Sequence, residues 1–424
     1  LQLKQARARV KQAWAQRTIA SGDLYPHLSA NAEARRSFTP SANFTTGIPG
    51  ASGGGLMRVF DNNIEATLAT SWQLDLFGRI RRETQSAGAA AKAALADKRA
   101  LAQSLIAEAA RRRVAIRGLK QRRDIQQKIV KARKRSLDVI KRRYQKGTQE
   151  VTVNDVHNSE QALSTAKAEL ATLAQDLRAE YNRMDVLLGQ APQKRDKHKN
   201  TDLGAPATAT PAIVPAQLID RRPDLRASVL RYKAANADIG VAVANLYPDL
   251  SISGSIGSQS ERASNFLTSS KQMIGSIMAD VTQRLFQGGA LRANIDLQEA
   301  EAREQAAGYA ESVLNAVSEV ETALSDNARL QQREGHIDNS LSSLRDAEDS
   351  AKRRYEKGVA ALRDYLEIKR RRLEAQANLI RTRQAAWNAR ISLYLALGGD
   401  WLKDTDRKSE KAQNTTKRET KQNG

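Results

Sequence analysis

Four short sequence words occur twice in this chain of 424 residues, in the same order in each half. The words are LYP, LF, RRY-x-KG and LG, and the two copies of each lie between 209 and 222 residues apart. Because the order is kept and the spacing drifts little, we interpret the chain as one structural unit that has been duplicated. The words begin at Leu24 and Leu246, Leu76 and Leu285, Arg142 and Arg353, and Leu188 and Leu397.

The duplication predicts the domain organisation. Repeat one covers 1–190 and reads helix, β-hairpin (24–77), long helix, KG turn, helix. Repeat two covers 219–401 in the same order, with its hairpin at 246–286. A Pro- and Ala-rich segment, 191–218, links the two repeats.

The predicted strands show apolar and polar residues in alternation. From Ile64 to Leu74, and again from Leu250, every second residue is apolar or small, which indicates a strand with one apolar face. The first hairpin is longer, and its extra length coincides with a Gly- and Ser-rich loop at 45–55. Four strands are too few to close a barrel, and open sheet edges aggregate. We therefore expect strands from several copies of the chain to complete one barrel.

The remaining stretches are predicted to be helical and unusually long. The segments 83–144 and 292–355 contain no proline, and a helix of about 60 residues spans about 90 Å. Gly147 and Gly358 follow these segments and suit the left-handed residue that ends a helix.

A seven-residue apolar period marks the returning helix of repeat two but not that of repeat one. Such a period indicates helices that supercoil against neighbours. One interface should therefore be tighter than its counterpart. The periodic residues are Leu366, Leu373, Ile380, Trp387 and Tyr394.

Composition excludes several classes of protein. The chain has no cysteine, which excludes disulfides, thiolate metal sites and lipid-bearing cysteines within it. It has no apolar run of 18 residues, so no transmembrane helix is expected. It opens within a helix-like pattern without a signal peptide, which predicts a processed or truncated N-terminus.

A net charge of +22 raises the possibility of nucleic-acid binding. Lys and Arg are spread along nearly all the helical stretches, and no nucleic-acid fold signature accompanies them. Solvated helix faces and a disordered basic tail at 402–424 are the simpler interpretation. A soluble basic coiled-coil scaffold or nucleic-acid-binding protein remains the alternative, although it leaves the duplicated hairpins unexplained.

Enzymatic interpretations find no support in the motifs. The four histidines have no metal-ligand spacing, and the glycine-rich loop lacks the Lys-Ser/Thr of a phosphate loop. The scattered serines lack the nucleophile-elbow pattern. We expect no enzyme activity, no metal and no cofactor.

The ordered words resemble the outer-membrane factors of Gram-negative tripartite efflux pumps, the TolC-like family, and within it the OprM/NodT-like branch. The resembling words include WQLDLFGRIRR, RRPDLRA, LFQGGALRA, VLNAVSEVETAL and LYLALGGDW, and they run from about residue 6 to 401. The resemblance implies a mixed α and β membrane protein. Three chains would close one 12-stranded β-barrel, four strands per chain, continued by an α-helical coiled-coil barrel. The linker 191–218 would form an equatorial belt.

The function implied is passive export through the outer membrane of a Gram-negative bacterium, with most of the chain in the periplasm. The partners implied are two further copies of the chain, outer-membrane lipids, a periplasmic adaptor and an inner-membrane transporter that supplies the energy. Drugs or other small toxic amphiphiles would be the exported substrates, and no nucleic acid is expected.

The resemblance also assigns candidate site residues near the KG turns. Gly147 and Gly358 would mark the periplasmic tip, where the adaptor docks. Asp364 and Glu367 lie three residues apart on one helix face, and acidic residues at these places line the closed pore constriction in the family. Six such carboxylates would repel one another, raise some pKa values and attract cations. Asp155 and Tyr355 would contribute to a neighbouring hydrogen-bond latch, as the family pattern suggests.

Overall fold

The computed structural model describes most of the chain. Four segments named above lie wholly or largely outside the described residues: the loop 45–55, the first KG turn with Gly147, most of the linker 191–218, and the tail 402–424. The described residues are 1–41, 57–146, 151–193, 202–206, 221–260 and 273–399.

The first half of the chain follows the predicted order of helix, two strands and two helices. A helix of 21 residues leads into a hairpin, a helix of 67 residues and a returning helix of 35 residues. These elements are α1 (Gln2–Gly22), β1 (His27–Ser41), β2 (Met57–Leu74), α2 (Arg79–Gln145) and α3 (Val153–Leu187).

The second half repeats this order with nearly the same lengths. Its helices contain 22, 67 and 35 residues, so both long helices and both returning helices match their counterparts in length. The elements are α4 (Pro223–Ala244), β3 (Asp249–Ser260), β4 (Met273–Thr282), α5 (Ala290–Glu356) and α6 (Leu362–Ala396).

The two hairpins form one antiparallel sheet with the strand order β1-β2-β3-β4. Leu68 of β2 stands opposite Ala30 of β1 on one side and Ile256 of β3 on the other. The indole N–H of Trp72 donates a hydrogen bond of 3.1 Å to the carbonyl of Leu24. β1 and β4 are therefore the edges of this sheet, and among the described residues no further strand pairs with their outer sides.

Contacts divide the chain into two compact units, and each unit takes segments from both halves. One unit is helical and consists of Leu1–Arg7, Ala96–Arg226 and Ala310–Gly424. The other contains the sheet and consists of Ala8–Leu95 and Ala227–Tyr309. Within the described residues, no helix combines the length and the hydrophobicity needed to cross a membrane.

The helical unit is held together by the apolar stripe of α6. Leu373 and Ile380, two members of the predicted seven-residue period, are buried. They pack against Ile125 and Ile129 of the neighbouring helix α2. Eleven residues of α6 are buried, against seven of α3. The returning helix that keeps the apolar period is thus the more buried one, as the pattern predicts.

α2 and α6 approach each other closely at a glycine. A Cβ atom on Gly118 would lie 2.6 Å from Cγ of Gln384, which is too close for a real contact. The Gln384 amide donates a hydrogen bond of 3.3 Å to the carbonyl of Ala115. A larger residue at Gly118 would therefore require the side chain of Gln384 to move and to give up this hydrogen bond.

The duplicated LG words end α3 and α6 with the same backbone motif. Gly189 and Gly398 have positive φ values of 75° and 84°. In each case the glycine N–H bonds to the carbonyl three residues earlier, and the next N–H bonds to the carbonyl five residues earlier. This is the Schellman motif, which satisfies the last carbonyls of a helix. A Cβ on Gly398 would lie 2.8 Å from the backbone of Arg221, whereas one on Gly189 would meet nothing closer than 3.8 Å.

The RRPD word places a buried arginine at the start of α4. Arg222 donates to the carboxylates of Asp224 and Glu319, both at 2.7 Å, and to the carbonyl of Ala396 at 3.2 Å. Burial acts to lower the pKa of Arg222, but the two carboxylates outweigh it and raise that pKa. One side chain thereby joins the start of α4 to α5 and to the end of α6. Pro223 occupies the first helical position, where its missing N–H is not needed.

The positive charge is not evenly distributed, contrary to the impression from the sequence. Within its bounds, α2 contains 21 Lys and Arg residues but only 5 Asp and Glu residues. The equally long α5 carries only 8 Lys and Arg against 14 Asp and Glu. The two helices that correspond in the duplicated halves therefore have opposite net charge.

Candidate functional site

The second KG turn has the geometry of a helix terminus. Gly358 has a φ of 72°, and its N–H bonds to the carbonyl of Tyr355 at 2.9 Å. The N–H of Val359 bonds to the carbonyl of Arg354 at 2.9 Å, which completes a Schellman motif at the end of α5. A Cβ on Gly358 would meet no atom within 4 Å. The turn therefore requires glycine for its conformation and not for lack of space.

A cleft of about 250 Å³ lies among α2, α3 and α6 in the helical unit. We name it the three-helix cleft. It brings together two of the predicted site residues, Asp155 and Glu367, and adds three arginines that the sequence did not single out. The lining residues used below are Arg133, Asp155, Ser159, Arg363, Glu367 and Arg370.

Asp155 caps the N-terminus of α3. Its carboxylate accepts hydrogen bonds from the backbone N–H of Thr152 at 2.9 Å and from the Thr152 hydroxyl at 2.7 Å. The Thr152 hydroxyl accepts in turn from the backbone N–H of Asp155 at 3.3 Å, which completes a capping box. These hydrogen bonds, with a smaller contribution from the charge of Arg363, lower the pKa of Asp155.

Glu367 is half-buried and paired with arginine. It forms an ion pair with Arg370, three residues later on the same helix, and a weaker contact of 3.4 Å with Arg371. The hydrogen bond from Arg370, with smaller contributions from Arg371 and Arg133, lowers the pKa of Glu367 to about 2. From the sequence we expect a raised pKa, because the carboxylates of three neighbouring chains would repel one another. Within the single chain the shift has the opposite direction.

Asp364 occupies the position in α6 that Asp155 occupies in α3. Its backbone N–H bonds to the carbonyl of Ala361 at 3.1 Å, but Ala361 offers no side chain to cap the helix. Asp364 is exposed and does not line the three-helix cleft. The structure thus separates the two predicted constriction residues: Glu367 faces the cleft, and Asp364 lies outside it.

Tyr355 lies apart from Asp155 in the hydrogen-bond network of the single chain. Its ring stacks on Tyr365, with centroids 6.2 Å apart and an angle of 10° between the planes. Lys369 donates a hydrogen bond of 3.1 Å to the Tyr365 hydroxyl. Among the described residues of this one chain, Asp155 and Tyr355 form no hydrogen bond with each other.

Sequence reasoning missed the three arginines of the cleft for different reasons. Arg370 follows Glu367 by three residues, a helix ion-pair spacing that was available in the sequence. Arg133 lies on another helix, and only the packing of α2 against α6 brings it near Glu367. No group of His, Cys, Asp and Glu in the described parts of the chain could hold a metal ion.

Comparison with known proteins identifies a family. The family model described as outer membrane efflux protein matches residues 1–190 and 214–399, which is most of the chain and includes both halves. The matched stretches contain all four strands and all six helices described above.

Individual relatives are similar along nearly the whole chain. The outer membrane protein OprJ of Pseudomonas aeruginosa is 29% identical over 408 residues, which cover 94% of this chain and 81% of OprJ. The pyoverdine export outer membrane protein OpmQ of Pseudomonas putida is 28% identical, covering 95% of this chain and 84% of OpmQ. The solved outer-membrane channel OprN is 30% identical with a TM-score of 0.81, covering 94% of this chain and 87% of OprN. These proteins give no support to the alternative of a nucleic-acid-binding scaffold.

Proposed function

Since this chain belongs to the outer membrane efflux protein family, we propose that it forms the outer-membrane exit duct of a tripartite efflux system. The observation that carries this proposal is the family match across both halves, strands as well as helices. The protein acts as a passive channel in this proposal, as the family of efflux ducts does. Energy for export comes from the inner-membrane transporter, to which a periplasmic adaptor connects the duct.

The working unit is a trimer. The described part of one chain supplies four strands, and no further strand within it pairs with the outer sides of β1 and β4. β4 is exposed along all its length in the single chain, and the side chain of Ile277 is 90% exposed. Twelve strands from three chains would pair these edges and turn such apolar side chains toward lipid.

Purified protein tests the duct directly. In detergent, light scattering should give the mass of three chains, and addition to a planar bilayer should produce discrete conductance steps. Drugs or other small amphiphiles are the proposed substrates, and cells should accumulate them when the gene is deleted. A monodisperse monomer that remains in solution without detergent and produces no conductance would contradict the proposal.

Within the trimer, Asp364 and Glu367 would line the closed constriction at the periplasmic tip, and Asp155 and Tyr355 would belong to a neighbouring latch. Support for Glu367 and Asp155 comes from the cleft, which both residues line near the starts of α6 and α3. Replacing Asp364 and Glu367 together with alanine should reduce cation preference and divalent-cation block in planar bilayers. Unchanged selectivity and block would remove both residues from the constriction.

The KG turns are the proposed docking points for the adaptor. Gly358 ends α5 with open space around its Cα, so a partner could approach the backbone closely. Exchange of Gly147 or Gly358 for a bulky residue should abolish efflux while trimers still assemble. Gly189, which also ends a helix at positive φ and would meet no atom closer than 3.8 Å, provides a matched control position. Efflux that survives both exchanges would exclude the turns as docking points.

A further inference from the structure

The three-helix cleft contains more positive than negative charge. Its lining includes the guanidinium groups of Arg133, Arg363 and Arg370 and the carboxylates of Asp155 and Glu367. With both carboxylates ionised, the lining therefore has an excess of one positive charge.

Both carboxylates already have their own partners. Asp155 accepts from the backbone and hydroxyl of Thr152, and Glu367 accepts from Arg370. Within the part of the chain that the structure describes, Arg133 and Arg363 form no hydrogen bond or ion pair. Arg363 acts on Asp155, and Arg133 on Glu367, only by attraction through space.

The surroundings of the cleft favour a negative ligand further. Arg133 belongs to α2, the helix with 21 basic against 5 acidic residues. The first turns of α3 and α6, with Asp155 and Arg363, also border the cleft, and the start of a helix carries partial positive charge. No side chain caps α6.

We propose that the three-helix cleft binds a small divalent oxyanion of the phosphate class between Arg133 and Arg363. Guanidinium forks match the geometry of phosphate oxygens, and a cleft of about 250 Å³ has room for such an anion with a few waters. The Ser159 hydroxyl lines the same cleft and offers a further hydrogen-bond donor. A bound anion would connect α2 to α6 through the guanidinium groups of Arg133 and Arg363.

A consequence for gating rests on the proposed function. Glu367, the proposed constriction residue, lines the same cleft. An anion that ties Arg133 to Arg363 would hold α6 against α2 and stabilise the closed tip. Binding and gating are separate measurements, so failure of one is distinguishable from failure of the other.

Titration of the purified full-length protein with inorganic phosphate tests the site. Calorimetry in detergent, at constant ionic strength maintained with sodium chloride, should show saturable binding with one site per chain. Arg133→Gln and Arg363→Gln should each weaken binding at least tenfold, because each removes a charged donor. Arg135→Gln is the matched control, since Arg135 is exposed on the same helix two residues away and does not line the cleft.

Further arms separate the possible outcomes. Arg133→Lys keeps the charge and should restore part of the affinity if the fold of the Gln variant is intact by circular dichroism. Titration with glycerol 3-phosphate in place of phosphate measures whether a mimic of a lipid headgroup binds as tightly as the free ion. Absence of saturable heat, or equal weakening by Arg135→Gln, would overturn the site. Saturable binding with no effect of phosphate on bilayer conductance would keep the site and overturn its role in closure.

Discussion

Arg222 offers a sharp test of how the helical unit is held together. Replacement with methionine keeps most of the apolar volume but removes the donors to Glu319, Asp224 and the Ala396 carbonyl. Leaving the buried carbonyl unpaired costs about 1–3 kcal/mol. The side chains of the two carboxylates are about half exposed, so each lost ion pair adds no more than about 1 kcal/mol.

The expected loss is therefore about 3 kcal/mol. For a unit of roughly 250 residues, each kcal/mol lowers the melting temperature by about 2–4 °C, so Arg222→Met should melt roughly 6–12 °C lower. Thermal unfolding followed by circular dichroism in detergent, at several scan rates, measures the shift. Arg226→Met is the control, because Arg226 is exposed on the same helix. If Arg222→Met melts within about 2 °C of the Arg226 variant, the hydrogen bonds of Arg222 do not contribute the expected stability to the helical unit.

Three further predictions use matched positions. Gly118→Ala should lower the melting temperature because its Cβ overlaps the side chain of Gln384. Gly335→Ala, in open space, should raise the melting temperature, because alanine is favoured over glycine within a helix by about 1 kcal/mol. The pKa of Glu367 is lowered from 4.5 to about 2 in the folded chain, so the stability it contributes is complete above about pH 5.5 and is lost as pH falls toward 2. Glu367→Gln should flatten that part of the melting-temperature profile. Both Gly398→Ala and Gly189→Ala place alanine at positive φ, but only the first also overlaps backbone, so melting curves should show the larger loss for Gly398→Ala.

Sequence periodicity was sufficient to predict the strands, the long helices and the helix ends. The alternation from Ile64 falls within β2, and the KG and LG words end helices at Gly358, Gly189 and Gly398. These features are local, because a strand face, a helix face or a left-handed residue depends on neighbours in sequence. The apolar period of α6 likewise predicted the burial of Leu366, Leu373 and Ile380, whereas its last member, Tyr394, is exposed.

The cleft could be predicted only in part, because it depends on contacts between helices. The pattern Thr152-x-x-Asp155 resembles a capping box. It could have predicted from the sequence that the Asp155 side chain bonds to the start of its own helix. The pairing of Glu367 with Arg370 was available as well. The approach of Arg133 from α2 was not, since no sequence rule relates residues more than 200 positions apart to one cleft.

The equal lengths of α2 and α5 limit how this protein can change during evolution. One residue inserted between Gly118 and Ile125 would rotate the rest of α2 by about 100°, and Ile125 would leave its contact with α6. Seven inserted residues would turn Ile125 nearly back toward α6 but would lengthen α2 by about 10 Å. α3 must then gain the same length for the chain to return to the LG word that ends α3. The same requirement holds for α5 and α6. Relatives of different length should therefore carry compensating insertions of about two helical turns in all four helices, and single-residue insertions should be confined to the loops.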